Sequence, residues 1–131
     1  MKAFLNIQLV ESHEQVAFQT GSESHIKKLY PEVNTFSLDN FSDVSMVTYA
    51  QELINQAEKI LILMESYDSK ANPNKLLKLI NTLVREKSRR VKLILSGQNL
   101  IIEKMAKTLG DNFYNQPTEK HLMNVAEELF S

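Results

Sequence analysis

The 131-residue sequence contains no cysteine. Disulfide bonds, thiolate nucleophiles, zinc-thiolate sites and iron–sulfur clusters are therefore excluded, and the absence is typical of cytoplasmic proteins. The longest apolar run, Ile60–Met64, is far too short to span a bilayer. The segment Met1–Gln8 lacks the apolar core of a secretion signal. We expect a soluble, cytoplasmic protein that does not bind membranes.

The sequence also has no excess of charge of either sign. It contains 15 Lys and Arg residues and 16 Asp and Glu residues, which gives a formal net charge of −1. This balance argues against a domain that binds nucleic acid through its overall charge. The densest basic cluster consists of Arg85, Lys87, Arg89, Arg90 and Lys92. It lies at the predicted end of a helix, where the helix dipole favours cations. Docking of an RNA backbone or an acidic protein surface there remains a weaker alternative.

Glycine and proline are scarce, with three of each. Most of them fall in predicted loops or at element boundaries, and no linker, repeat or low-complexity tract interrupts the chain. A chain of this length can bury a core without disulfides or metal. The sequence therefore predicts a single domain over residues 1–131.

The strongest structural signal lies between residues 59 and 97. The runs Ile60–Met64 and Val91–Leu95 are typical of strands covered on both faces, as in a parallel sheet. Asn72-Pro73 opens a helix between them. The apolar residues at helical spacing in that helix are Leu76, Leu79, Ile80, Leu83 and Val84. Strand, helix and strand predict a right-handed βαβ unit whose two strands lie side by side and point the same way.

The rest of the chain continues this alternation. Short strands are predicted at Thr35–Leu38 and Asn112–Asn115. Four further helices follow from caps and apolar stripes. The first runs from Ser22, its cap, to Tyr30, and the second follows Ser42-Asp43, with Val47, Ala50, Ile54 and Ala57 facing inward. The third has Ile102, Met105, Ala106 and Leu109 inward and ends at Gly110, and the last has Pro117 in its first turn and Leu122, Val125, Ala126 and Leu129 inward.

The first strand differs because it alternates, with Leu5, Ile7 and Leu9 on one face and Asn6 and Gln8 on the other. This pattern predicts a peripheral or antiparallel strand. Residues 15–19 fold back as a hairpin partner in one interpretation and begin a helix in another. The predicted fold class is α/β, a three-layer α/β/α arrangement with a mainly parallel sheet of about five strands, and an antiparallel N-terminal edge strand or hairpin remains open.

Candidate functional residues follow from this topology, because ligands of open parallel sheets collect beyond the carboxyl ends of the strands. The predicted edge displays polar residues after three strands, and it includes residues 20–22 if the first strand is parallel to the others. The candidate ligand-binding residues are Thr20, Gly21, Ser22, Glu65, Asp68, Ser69, Ser96 and Gln116.

These candidates also have plain structural interpretations. The turn Thr20–Ser24 leads into a helix and suits a phosphate, although it lacks the full phosphate-loop patterns and a capped turn explains it as well. Glu65 and Asp68 have the residue types of a cation site or an acid–base pair, but solvated loop carboxylates are common at such positions.

The histidines His13, His25 and His121 share no helical spacing, so we expect surface histidines. No serine lies in a nucleophile-elbow pattern. The sequence thus predicts no metal ligands, no cofactor and no catalytic residues.

The half from Ile60 to Phe130 resembles STAS (anti-anti-sigma-type) domains. The matching features are Asp68-Ser69 at a helix start, a strand ending in Ser96-Gly97, and Leu109-Gly110 before Phe113. The resemblance implies a front hairpin and nominates Ser69 as a phosphorylation switch. The chain departs from that pattern, since Lys70-Ala71 replaces the usual glycine and residues 20–33 form an insertion.

The same half is also similar to response-regulator receiver domains. Glu65 falls near the phospho-acceptor aspartate of that family, Ser96 near its conserved hydroxyl, and Gln116-Pro117 where it has Lys-Pro. Glutamate for aspartate and glutamine for lysine would disable phosphotransfer. This resemblance therefore implies a degenerate, non-phosphorylated relative.

These observations predict a small non-enzymatic α/β domain with a regulatory or protein-interaction role, whose partner is another protein or a second copy of itself. The alternative is an enzyme or ligand-binding domain for a phosphate-bearing small molecule at the carboxyl edge, with Thr20–Ser24, Glu65 and Ser96 lining the site. The interaction hypothesis predicts an exposed apolar patch or a symmetric dimer contact, and the alternative predicts a pocket containing Glu65 and Ser96. Nucleic-acid docking requires the basic residues Arg85–Arg90 on one exposed face.

Overall fold

The computed structural model describes residues 1–12, 21–85, 90–115 and 119–131. Its strands form a five-stranded sheet in the order β2-β1-β3-β4-β5. They are β1 (Lys2–Leu9), β2 (Asn34–Asp39), β3 (Lys59–Ser66), β4 (Val91–Ser96) and β5 (Phe113–Asn115). Every neighbouring pair is parallel. This strand order defines a doubly wound, flavodoxin-like α/β fold, as the alternation of strands and helices predicts.

Helices cover both faces of the sheet. They are α1 (Gly21–Leu29), α2 (Val44–Gln56), α3 (Leu77–Arg85), α4 (Leu100–Ala106) and α5 (Glu119–Phe130). Buried residues of α2, α3 and α4 form one core with the sheet, and those of α1 and α5 form a second core on the other face. The three-layer α/β/α prediction is therefore confirmed.

In the described part of the chain, no helix has the length and apolar character needed to cross a membrane.

The central βαβ unit has the geometry that its sequence predicts. β3 and β4 pair in parallel, with Ile60 opposite Val91 and Met64 opposite Leu95. Both runs are buried because helices cover both faces. The helix between them begins differently, since a 3-10 turn at Asn74–Leu76 precedes α3.

The prediction of a peripheral or antiparallel first strand is wrong. β1 lies inside the sheet, parallel to both β2 and β3. Asn6 and Gln8, whose polarity suggested an exposed face, are 0% and 1% exposed. Because both edges of β1 are occupied, it cannot pair with a hairpin partner; residues 15–19, the predicted partner, lie outside the described residues.

Two helix boundaries also differ from their predictions. α1 begins at Gly21, so Ser22 lies in its first turn and does not cap it. The α-helix α4 ends at Ala106, and a separate 3-10 segment follows it over Lys107–Asn112. In that segment Gly110 has a positive φ of 57°. At α2 the predicted cap is confirmed, because the Asp43 side chain accepts a hydrogen bond from Met46 N.

Candidate functional site

The carboxyl ends of the strands bring a row of polar residues together. Asp39, Gln8, Glu65 and Ser96 are successive register partners across β2, β1, β3 and β4. Glu65 and Ser96, which the sequence nominated separately, are therefore neighbours on adjacent strands. This confirms the topological reason for choosing them, although it assigns them no chemistry.

The Glu65 carboxylate is held by two hydrogen-bond donors. Asn6 Nδ2 lies 2.8 Å from Oε1, and the Tyr67 hydroxyl lies 3.2 Å from Oε2. The contact with Asn6 fixes the orientation of its amide, because a flipped amide would bring its oxygen against a carboxylate. Asn6 Oδ1 is buried and has no hydrogen-bond partner among the described residues.

Glu65 also changes the acidity of its neighbour. Burial raises the pKa of Tyr67, and the negative charge of Glu65 and its hydrogen bond to the phenol raise it further. Tyr67 therefore stays a neutral hydrogen-bond donor through the physiological pH range. It is nevertheless 54% exposed, so its ring faces solvent at the rim.

Asn40 fastens three loops at this edge. Its Oδ1 accepts a hydrogen bond of 2.9 Å from Val10 N. Its Nδ2 lies 3.0 Å from Val10 O and 3.2 Å from Asn72 O. The buried amide therefore links the segments that follow β1, β2 and β3 through hydrogen bonds to their backbone groups.

A second set of bonds joins the loops after β3 and β4. Ser66 Oγ lies 2.8 Å from Gln98 O, and Asn99 Nδ2 lies 3.1 Å from Ala71 O. The Asn99 Oδ1 atom also caps α4 by accepting a hydrogen bond from Ile102 N. Several polar groups at the rim therefore brace loops.

These loops enclose a cleft of about 440 Å³. We call it the strand-end cleft; its lining residues are Val10, Glu11, Asn40, Phe41, Asp68, Lys70, Ala71, Asn72, Asn74 and Lys75. It lies beyond the carboxyl end of β1. The next strand in the chain, β2, pairs with one side of β1, and the strand after it, β3, pairs with the other side. Such a switch point is the usual ligand position in open α/β sheets.

The predicted site residues separate on this surface. Asp68 lines the strand-end cleft, whereas Ser69 lines a second cleft of about 340 Å³ with Lys70, Gln98, Leu100 and Glu103. Gly21 and Ser22 lie in the first turn of α1 and contribute to neither cleft, nor do Glu65 and Ser96. Thr20 and Gln116 lie outside the described residues.

The predicted carboxylate pair also has separate structural roles. Asp68 Oδ1 accepts a hydrogen bond of 2.9 Å from Lys70 N, which closes a turn, while Glu65 binds Asn6 and Tyr67. Within the described ranges no three His, Asp or Glu side chains are grouped as metal ligands. His25 and His121 are exposed, and His13 lies outside those ranges.

Exposed apolar side chains concentrate at the same rim. Phe41 and Val44 follow β2, Tyr67 follows β3, and Leu100 and Ile101 begin α4 after β4. Their exposures range from 42% for Phe41 to 82% for Val44. We call these five residues the apolar rim. Large side chains this exposed are typical of surfaces that bind a partner when they gather at one edge.

Two described members of the basic cluster, Arg90 and Lys92, contact different parts of the molecule. Arg90 Nη1 donates to the carbonyl oxygens of Ile54 and Ala57 near the end of α2. Lys92 is buried on the α5 side, where its Nζ lies 3.2 Å from the Tyr114 hydroxyl and 3.5 Å from Glu128 Oε1. These side chains support packing. Lys87 and Arg89 lie outside the described residues, so the nucleic-acid hypothesis, which requires both of them on one face, stays a prediction.

Lys92 also stays charged in this setting. Burial by itself lowers its pKa, but the Tyr114 hydroxyl and the Glu128 carboxylate outweigh burial and raise the pKa above its usual value.

Sequence reasoning selected only Asp68 among the residues that line the strand-end cleft, and the residues it missed include Asn40, Phe41, Lys70 and Lys75. Asn40 and Phe41 directly follow β2. The carboxyl-edge rule that selected Glu65 and Ser96 would have found them if it had been applied to that strand. The lysines carry no such local signal, because loop lysines are common.

Comparison with known proteins adds little to this description. No protein-family model matches the chain, and no match was found among curated proteins. Among solved structures, a flavodoxin from Streptococcus pneumonia TIGR4 is similar, with a TM-score of 0.45 and 11% identity over 98% of this chain and 97% of that chain. The fold assignment rests on strand order and pairing, and this match carries no argument about function.

Proposed function

We propose that this chain is a small non-enzymatic regulatory domain that acts by binding protein, and that the apolar rim is its binding surface. The observation that carries the proposal is the exposure of Val44 and Leu100, at 82% and 72%, at one edge of the sheet. Solvated apolar area of this kind is stabilised when a partner covers it.

The polar groups of the rim support a binding role over a catalytic one. Asn40, Ser66 and Asn99 make the hydrogen bonds that hold the loops in place. Preformed, braced loops suit recognition, because little conformational freedom is lost when a partner docks.

The partner to which we commit is a second copy of the chain. A two-fold interface places the same surface on both sides, so charges of both signs near the apolar residues allow each copy to pair with the other. The rim has both signs, with Asp43 and Asp68 near Lys70 and Lys75. The formal net charge of −1 means that two copies repel each other little.

The resemblance to receiver domains is in keeping with this role. The strand order 2-1-3-4-5 is shared by that class of signalling module. The STAS resemblance has less support, because the front hairpin that it implies requires an unpaired edge on β1.

Sedimentation equilibrium over a range of protein concentrations tests the proposal. We expect a reversible dimer, and we expect V44S and L100S to shift the chain toward monomer. Leu29→Ser is the matched control, since Leu29 is 51% exposed but lies at the end of α1, at the opposite edge of the sheet. A monomer at every concentration, or equal dissociation by Leu29→Ser, would overturn it.

A further inference from the structure

One side of the outer strand β2 is not occupied by any described strand. In the sheet order β2-β1-β3-β4-β5, β2 pairs with β1 alone among those strands. It is six residues long, whereas β5 at the opposite edge has three. Proteins usually protect an edge of this length with charged side chains or proline, and Asn34–Leu38 contains neither. The open side of β2 is therefore suited to pairing.

The direction of the backbone groups identifies which residues face this open side. Asn40 N donates to Gln8 O at 3.2 Å, so the groups of Asn40 face β1. Every second residue of a parallel strand bonds to a given neighbour, and the residues between point the other way. The N–H and C=O groups of Thr35, Ser37 and Asp39 therefore point outward.

Both ends of this outward row are closed by the chain itself. Ser42 Oγ accepts a hydrogen bond of 2.9 Å from Asp39 N, and Ser42 N donates to Asp39 O at 3.1 Å. At the other end, Lys27 Nζ donates to Val33 O at 2.8 Å. The outward groups between these ends, two N–H and two C=O, make no hydrogen bond to another described residue. The open edge is therefore short, and a segment of a few residues matches it.

A groove of about 380 Å³ lies beside this edge, on the face of the sheet that α1 covers. We call it the edge groove; its lining residues are Thr35 of β2 and Glu23, Ser24, Lys27 and Lys28 of α1. The Ser37 hydroxyl donates to Glu23 Oε2, which holds that carboxylate near Ser37. Lys27 reaches Val33, so the lysines lie toward the Thr35 end. Two positive charges there against one negative charge favour an acidic side chain opposite Thr35.

The other face of the edge is apolar. The Phe36 ring packs against the core and meets the Tyr49 ring edge-on, with centroids 4.7 Å apart. Tyr49 is 48% exposed. Side chains of a paired strand alternate between the two faces, so the neighbour of a residue opposite Thr35 lies against these rings.

We propose that the open edge of β2 binds a short extended segment of a partner protein, which adds a sixth strand to the sheet. Its backbone bonds to Thr35 and Ser37. An acidic side chain of the segment lies in the edge groove beside Lys28, and an apolar neighbour covers Phe36 and Tyr49. The closed ends stop a longer ladder, which favours a short segment over the whole β2 strand of a second copy.

This edge is separate from the apolar rim, because none of the five rim residues lines the edge groove. Segment binding can therefore be measured in the V44S/L100S variant, where the rim contacts are removed. Binding retained in that variant distinguishes this inference from the dimer proposal.

Titration with the peptide acetyl-Thr-Val-Glu-Val-Thr-amide, followed by backbone amide NMR, tests the inference. The peptide has the same sequence in both directions, so its glutamate can lie opposite Thr35 in a parallel or an antiparallel arrangement. We expect saturable downfield shifts and slower hydrogen exchange at the Thr35 and Ser37 amides, with smaller changes at Phe36, whose N–H faces β1. The same peptide with N-methyl groups on its three central residues is the control, because it keeps the side chains but cannot pair as a strand.

Charge variants test the acidic contact. K28Q should weaken binding about threefold, since an exposed charge contact contributes modestly. K104Q is the matched control, because Lys104 is an exposed lysine of α4, which packs on the opposite face of the sheet from α1. K28E should bind the peptide with lysine in place of glutamate more tightly than the original peptide, a reversal that a loss of structure does not produce.

Four outcomes would overturn the inference. They are no saturable change at Thr35 and Ser37, equal binding of the N-methylated peptide, and a loss in K104Q as large as in K28Q. The fourth is a change at those two amides with protein concentration alone, which would identify a second copy as the occupant.

Discussion

Asn6 and Glu65 join β1 and β3 through their side chains, with Asn6 Nδ2 donating to Glu65 Oε1 at 2.8 Å. Asn6 is fully buried and Glu65 is partly exposed. The pair therefore links the interior of the sheet to its carboxyl rim, and through Tyr67 to a residue in solvent.

Asn6→Asp should destabilise the fold strongly near neutral pH. It replaces the donor with a buried carboxylate beside Glu65, and an unpaired buried charge costs about 3 kcal/mol or more of unfolding free energy. The like charges raise the carboxyl pKa in the folded state above its unfolded value. Stability should therefore fall as pH rises through the interval between those two pKa values, and return as pH falls.

Urea unfolding of Asn6→Asp at several pH values measures this effect. Asn6→Leu is the control, because it removes the donor without adding a charge. Its stability relative to wild type should change less with pH. The interpretation fails if the Asn6→Asp penalty is the same at about pH 5 as at about pH 8.

Glu65→Gln should lower the pKa of Tyr67. Burial raises this pKa first and would remain, but the negative charge that also raises it would be gone. Tyrosine ring NMR signals followed through the alkaline range give the titration, and Tyr67→Phe assigns the signal. An unchanged or higher pKa in Glu65→Gln would contradict the contact.

The same shift sets the direction of a stability change. The pKa of Tyr67 is raised in the folded state, so its contribution to stability is complete below the unfolded pKa of about 10 and is lost as pH rises through the folded value. Glu65→Gln should reduce this alkaline loss.

The unit from β3 to β4 was predictable because its signals are local. The run Ile60–Met64 contains no polar side chain that could face solvent, so it fits only a strand that is buried on both faces. The order of the strands follows less directly, since the alternating pattern of β1 predicts a peripheral or antiparallel strand. Its alternating pattern is misleading because the partner of Asn6 is Glu65, 59 positions away in sequence. Side-chain pairing over that distance leaves no trace in hydrophobic periodicity.

The strand-end cleft shows the same limit. The carboxyl-edge rule selected Asp68, which lines this cleft, because the rule depends only on strand direction. Phe41 and Lys75 come from different loops, and their shared position depends on how those loops are braced by Asn40. The hydrogen bonds by which Asn40 holds those loops together cannot be predicted from the sequence alone.

Gly97→Ala should destabilise the fold by about 2–4 kcal/mol. Gly97 has a φ of +86°, and a Cβ atom there would overlap the carbonyl oxygen of Ser66 and lie 3.1 Å from its carbonyl carbon. Gly21→Ala is the matched control, because a Cβ at Gly21 meets no atom within 4 Å. Urea unfolding should show little change or a small gain for Gly21→Ala; equal losses in the two variants would refute the steric explanation.

Asn40→Ala should destabilise the carboxyl rim more than its single side chain suggests. The change removes the partner of the buried Val10 N and two bonds to the carbonyl oxygens of Val10 and Asn72. An unsatisfied buried amide costs about 1–3 kcal/mol, so we expect a loss of about 2–3 kcal/mol in unfolding free energy. Hydrogen exchange at the Val10 amide should also become faster.

Asn74→Ala tests whether the effect belongs to Asn40 in particular. Asn74 lines the same cleft and is exposed, and its backbone N–H, which an alanine keeps, donates to Asn72 Oδ1. We expect a change within about 0.5 kcal/mol for Asn74→Ala and unchanged exchange at Val10. If both variants lose the same stability, the three loops are held by packing, and the amide of Asn40 does not position the cleft.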